Sequence, residues 1–89
     1  MRISTKVRVK IRQIKEVLEQ EKGGIWISEL ARKVPFAKLR KYPEPAICYY
    51  LYGIKVKDKY YGGFFRNAIE TVKIDGKNRF IKLKGKYLK

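Results

Sequence analysis

The sequence predicts a small α+β domain in which three or four short helices are followed by a C-terminal β-hairpin, and three observations carry that expectation. Val7, Ile11, Ile14 and Leu18 recur at helical spacing in the first segment. Prolines at 35, 43 and 45 then cut the middle of the chain into short helical pieces. Near the C-terminus, "VKIDGKNRFIKLK" sets Asp75 and Gly76 between two alternating runs, which signals a hairpin. At 89 residues the chain is read as one domain, 1–89, with a modest core and frayed residues 85–89.

The first helix is expected from about Lys6 to Glu21, although Ile3, Thr5, Val7, Val9 and Ile11 also alternate as a strand would. Gly23 and Gly24 are read as its end. Its charges oppose the helix dipole, with Lys6, Arg8 and Lys10 in the first turns and Glu19 and Glu21 in the last. The pairs Arg12/Glu16 and Lys15/Glu19 also run in the weaker order for attraction. A local rule broken this way suggests a basic end that serves a partner, or simply a solvated charged face.

Residues Ile25 to Ile27 are read as a short strand and Ser28 as the N-cap of a helix whose Leu30, Ala31 and Val34 face inward. Pro35 can open a further helix, "PFAKLRKY", stopped at Tyr42 and Pro43, and Pro45 another, "PAICYYLYG", ending at Gly53. In the latter, Ile47, Leu51 and Ile54 form a core stripe. "IKVKDKYY", 54–61, reads as an extended connector or edge strand before a flexible Gly62–Gly63, and "FFRNAIET" as a helical turn or two. A two-residue loop at Asp75–Gly76 would place Val72, Ile74, Ile81 and Leu83 on the packed face, and Thr71, Lys73, Phe80 and Lys82 on the wet one.

Twenty-three Lys and Arg against eight Asp and Glu give a net charge of +15, which attracts polyanions. The hydrophobic fraction of 45% is too high for a disordered basic tail, so the charge decorates a folded body. Basic residues fall in three acid-free blocks, Arg2–Lys15, Leu30–Tyr42 and Gly76–Lys89. Abundant Lys, Ile and Tyr with few Asn, Gln and Met are of the kind found in heat-adapted proteins.

The order helix, short strand, helix, turn, helix, hairpin, together with "IWISELARKV", resembles the winged-helix (winged helix-turn-helix) family over roughly residues 6–84. The resemblance implies double-stranded DNA binding: the helix after the turn enters the major groove, and the hairpin wing touches the minor groove or phosphates. The chain departs from the family after Val34, where a glycine-like turn, a Ser or Thr cap and an unbroken recognition helix would stand. Two segments therefore compete for that role, 36–42, favoured as the contact surface, and 45–53, read largely as core. The expected contacts are Lys6, Arg8 and Lys10; Arg32 and Lys33; Lys38, Arg40 and Lys41; Tyr49 and Tyr52; and Lys73, Lys77, Arg79 and Lys82. Tyr49 and Tyr52 are read first as half-buried residues with solvated hydroxyls, and second as stacking faces. Base reading would need Arg40, Lys38, Asn67 or Asn78 aimed at groove edges, and only Arg40 is expected on a suitable helix, which favours weak specificity.

The chain lacks histidine, its carboxylates are scattered, and Cys48 lies in an apolar run without a base, so neither catalysis nor a metal or cofactor site is expected. Without histidine, binding should hardly change between pH 5 and 8. A single cysteine fits a reducing, cytoplasmic or nucleoid-associated setting. The longest apolar run is too short for a membrane span, and the N-terminus is read as mature sequence rather than a transit peptide. The leading expectation is a duplex DNA-binding regulator or chromatin-like protein. Alternatives are a single-strand or RNA-binding, ribosome-associated module, and an accessory subunit of a DNA polymerase or similar machine. In the latter the aromatic segments 46–54 and 60–65 would dock a protein partner. A homodimer is a further expectation.

Overall fold

The computed structural model describes residues 4–85. The chain runs α1 (Thr5–Gln20), β1 (Ile25–Trp26), α2 (Ile27–Lys33), α3 (Pro35–Lys38), α4 (Pro43–Tyr52), β2 (Ile54–Val56), β3 (Lys59–Tyr61), β4 (Ile69–Asp75) and β5 (Asn78–Leu83). The α+β class, with a C-terminal hairpin after the helices, is the one expected. One antiparallel sheet has the order β1-β5-β4, and β2 and β3 form a separate antiparallel ribbon. The expected fraying of residues 85–89 lies, apart from Gly85, outside the described residues.

Helix α1 starts where the Ser4 hydroxyl accepts the Val7 N–H at 3.2 Å. It stops at the cap residue Glu21, before the glycines expected to end it. Gly24 instead passes beneath the Phe80 ring, where a Cβ would lie 2.5 Å from Cε1.

Two short helices are capped from across the fold. Ser28 lies inside α2, not at its cap, which is Trp26 and offers no side-chain hydrogen bond. The Asn78 Oδ1 on β5 accepts the Ser28 N–H at 3.2 Å, and the Asn78 amide nitrogen donates to Ser28 Oγ at 2.9 Å. At α3, the Gln13 Oε1 of α1 accepts the Phe36 N–H at 3.0 Å. Helices of seven and four residues have most of their amides in the first turn, so partners from elsewhere in the fold matter more for them than for a long helix.

Helix α3 is only four residues long, so the helix expected through 36–42 does not form, and Arg40 and Lys41 stand in the loop beyond its cap Leu39. Helix α4 begins at Pro43 rather than Pro45. Both prolines fit its first turn, where amide hydrogens have no intrahelical acceptor.

Helix α2 is the hub, packing against α1, α3, α4, β1 and β5. Ile14, Leu18, Leu30, Ile47, Leu51 and Ile81 are fully buried around it, joined by Ala31 and Val34 as expected. Ile54 does not extend the α4 stripe: Gly53 turns the chain out of the helix, and Ile54 is 49% exposed on β2.

The loop of the C-terminal hairpin lies one residue later than expected. Asp75 pairs with Asn78, so the loop is Gly76–Lys77, and only Gly76 (φ +61) has positive φ, the pattern of a type II′ rather than a type I′ turn. A bulge lies between Thr71 and Lys73. Moving the loop shifts both strands and keeps Ile74, opposite Arg79, on the face of Ile81 and Leu83. It is the bulge, which sets Thr71 opposite Ile81, that takes Val72 out of the alternation, while Ile74 lies towards the hairpin tip. Ile81 and Leu83 are buried as expected, with Ile69 beside them, whereas Val72 (47% exposed) and Ile74 (66%) are not.

Candidate nucleic-acid interface

Scarcity of carboxylates shapes the surface. Among the described residues two salt bridges form, against six contacts in which a Lys or Arg lies over an aromatic ring. Rings rather than acids therefore receive most of the locally held cations. Each such contact contributes about 0.5–1 kcal/mol at an exposed site, weak enough for a phosphate to share the cation.

Of the residues expected at the interface, Lys6, Arg8 and Lys10 lie along the start of α1. The Lys10 Nζ sits 5.6 Å from the Phe36 ring, and Lys6, Val9, Gln13 and Phe36 help line a shallow groove of about 290 Å³. From Phe36 an aromatic seam continues into the body. Phe36 meets Tyr50 edge-on at 5.3 Å, Tyr49 meets Tyr50 edge-on at 5.2 Å, and Phe64 stacks on Tyr50 at 5.8 Å. This seam joins α1, α3, α4 and the segment after β3.

Arg40 and Lys41 line a groove of about 610 Å³ with Tyr42, Pro45, Ala46 and Tyr49. Tyr49 thus reaches the surface beside two cations. Lys38 is exposed at the end of α3, and Arg32 on α2. Lys33, by contrast, is held at 2.8 Å by Glu21. That hydrogen bond, then the charge of Glu21, raises the lysine above its ordinary pKa, so here it latches α2 to the end of α1. Lys82 is likewise paired with Glu70, at 3.4 Å.

Tyr52 is half-buried as expected, but its hydroxyl is not solvated. Its Oη is buried without a hydrogen-bond partner among the described residues, and the Arg79 guanidinium lies 5.2 Å from its ring. Arg79 therefore joins β5 to the last turn of α4. Lys77 is exposed in the hairpin loop, while Lys73 lies 5.7 Å from the Phe80 ring. Phe80 in turn meets Trp26 edge-on at 5.3 Å, its partner across β1 and β5. Asn78, a candidate base reader, is spent on capping α2. Asn67 is exposed in the turn before β4.

Helix α4 follows α2 and the α3 turn and packs on α2, yet "PEPAICYYLY" contains no Lys or Arg and one acid, Glu44. Its Cys48 thiol is pushed up by burial and then by Glu44, with Arg79 acting in the opposite direction, so the thiol stays protonated near neutral pH. No group of three or more His, Cys, Asp or Glu side chains comes together among the described residues in a way that could hold a metal ion. Among the described residues no helix is long and apolar enough to cross a membrane.

Sequence reasoning missed Lys55, Lys57, Lys59 and Arg66. The first three ride on a hairpin whose turn, Lys57–Asp58, has positive φ at both positions (47° and 66°) although neither residue is Gly or Asn. Only the alternation "IKV…KYY" signalled it. Comparison with protein-family models, with curated proteins and with solved structures finds no match to this chain.

Proposed function

We propose that the protein is a non-enzymatic nucleic-acid-binding domain that engages duplex DNA through its phosphates, in the manner of a winged helix, with modest sequence specificity. One observation carries this reading: helix α4 carries no Lys or Arg of its own, yet Arg40 and Lys41 share a groove with its Tyr49, Arg79 lies on its Tyr52, and Lys10 lies on the Phe36 ring that meets its Tyr50. The sheet order β1-β5-β4, with β4–β5 as the wing, supports the winged-helix comparison. Phosphate contact by lysine and arginine releases condensed counterions, which gives affinity without sequence information. Base reading would fall to α4, whose outward positions offer Glu44, Pro45 and the rim of Tyr49 rather than a bidentate Arg, Asn or Gln. A regulator with a stringent operator is less well supported than a protein that coats or bends DNA.

A second reading, single-strand or RNA binding, is favoured by the groove in which Tyr42, 67% exposed, lies near Tyr49, Arg40 and Lys41. Competition among duplex DNA, single-stranded DNA and RNA of equal length separates the two. The duplex should displace both others without quenching of tyrosine fluorescence. Preferential retention of single strands, with quenching, would transfer the function to that groove.

A further inference from the structure

The β2–β3 ribbon has no evident part in the core. All six strand residues are exposed, and among the described elements the two strands pack extensively only on each other. An unsupported two-stranded ribbon is marginal in water, so its form must come from its turn and its root. The turn twists correctly because Lys57 and Asp58 both take positive φ. The root is fixed to α4: Gly53 and Gly63 each donate to the Tyr49 carbonyl at 2.9 Å, and the Phe64 N–H donates to the Tyr50 carbonyl at 2.8 Å. Gly62, expected to be flexible, sits at φ +72, where a Cβ would fall 2.4 Å from the same Tyr49 oxygen. The ribbon is thus aimed by the last turn of α4, the turn whose Tyr52 also receives Arg79 from the wing.

Its charge is nearly all of one sign, carried on both faces, with Lys55 on the face of Tyr60 and Lys59 on the other. Lys55, Lys57, Lys59 and the adjacent Arg66 face a single acid, Asp58. Of the two exposed rings on the ribbon, Tyr60 is occupied by the Arg66 guanidinium at 4.6 Å and the Lys55 Nζ at 6.0 Å, whereas Tyr61, 47% exposed, carries no cation among the described residues. Three lysines against one unoccupied ring make cations the main feature the ribbon offers. We infer that β2–β3 is a second arm, rooted with the β4–β5 wing on the end of α4, which holds the phosphate backbone of duplex DNA through Lys55, Lys57 and Lys59. The inference rests on the duplex-binding reading and adds to it a contact element outside the three basic blocks.

Acetylation footprinting of the intact protein, with and without a random duplex, tests it directly. Lys55, Lys57 and Lys59 should lose reactivity in the complex along with Lys77 of the wing. A complex in which Lys77 is protected and the three ribbon lysines react as in the free protein overturns the inference and leaves the duplex reading standing. No protection of any lysine, with no complex formed, removes both. The exposed triple variant Lys55→Gln, Lys57→Gln, Lys59→Gln supplies the quantity. Three lost phosphate contacts lower the slope of log affinity against log salt by about 2.7, so the variant should lose about 40-fold less affinity than the parent between 50 and 200 mM. An unchanged slope would refute the arm, because charges lost away from the phosphates leave the counterion count intact.

Discussion

Replacing Asn78 with alanine should destabilise the protein without weakening its hold on DNA. The side chain accepts the Ser28 N–H at 3.2 Å and the Arg79 N–H at 3.1 Å, and donates to Ser28 Oγ at 2.9 Å. Losing a helix cap costs about 0.5–2 kcal/mol. The further loss of a part-buried bond to the hydroxyl adds about 0.5–1.5 kcal/mol. A total near 2 kcal/mol corresponds to a fall in melting temperature of roughly 10 °C for a domain of this size. Urea denaturation measures the free energy, and a cycle with Ser28→Ala isolates the hydroxyl bond, because Ser28→Ala keeps the backbone N–H that Asn78 accepts. Duplex affinity, measured where both proteins are folded, should agree within about twofold, as expected of a residue committed to a cap. Stability within about 0.5 kcal/mol of the parent would refute the capping argument. Normal stability with an altered base preference would return Asn78 to the reading surface.

Other substitutions probe the remaining claims. Leu30→Ala, at the hub of the core, should cost about 2–5 kcal/mol in urea denaturation, and a cost below 1 kcal/mol would mean that α2 is not the hub. Tyr52→Phe removes a hydroxyl that is buried without a partner among the described residues, so it should leave stability unchanged or raise it by up to about 1 kcal/mol; a loss above 1 kcal/mol would reveal a hydrogen bond to that oxygen. The Cys48 thiol lies above its ordinary value of 9.0 in the folded protein. Its contribution is therefore whole below that value and is lost as pH rises through the folded one. The stability difference between the parent and Cys48→Ala should be flat from pH 5 to 8 and move against the parent above about pH 9. A difference that moves in the parent's favour there would reverse the sign assigned to burial and Glu44.

Periodicity and proline positions were enough to reveal the helical half and the C-terminal hairpin, because burying Leu30, Ala31, Val34, Ile47 and Leu51 needs only a repeating local pattern. What stayed hidden depended on distant partners. Nothing near Ser28 announces that Asn78, fifty positions away, will cap its helix, nor near Phe36 that Gln13 will do the same. The bulge in β4 carries no local mark in "IETVKID", and it leaves Val72 out of the pairing and exposed, while Ile74 is exposed towards the tip of the hairpin. The ribbon turn was invisible because Lys57 and Asp58 adopt a geometry usually written with Asn and Gly. Among the candidate contacts, charge alone could not separate Lys33 and Lys82, which have carboxylate partners, from Lys38 and Lys77, which do not among the described residues.

The central claim is that unpartnered cations bind DNA phosphates without reading bases. Duplex affinity measured from 50 to 200 mM salt on two duplexes of unrelated sequence tests it most directly. Six to ten phosphate contacts predict a loss of roughly a thousandfold or more across that range, nearly the same for both sequences. A shallow dependence, or a large preference for one sequence that survives high salt, would contradict the account.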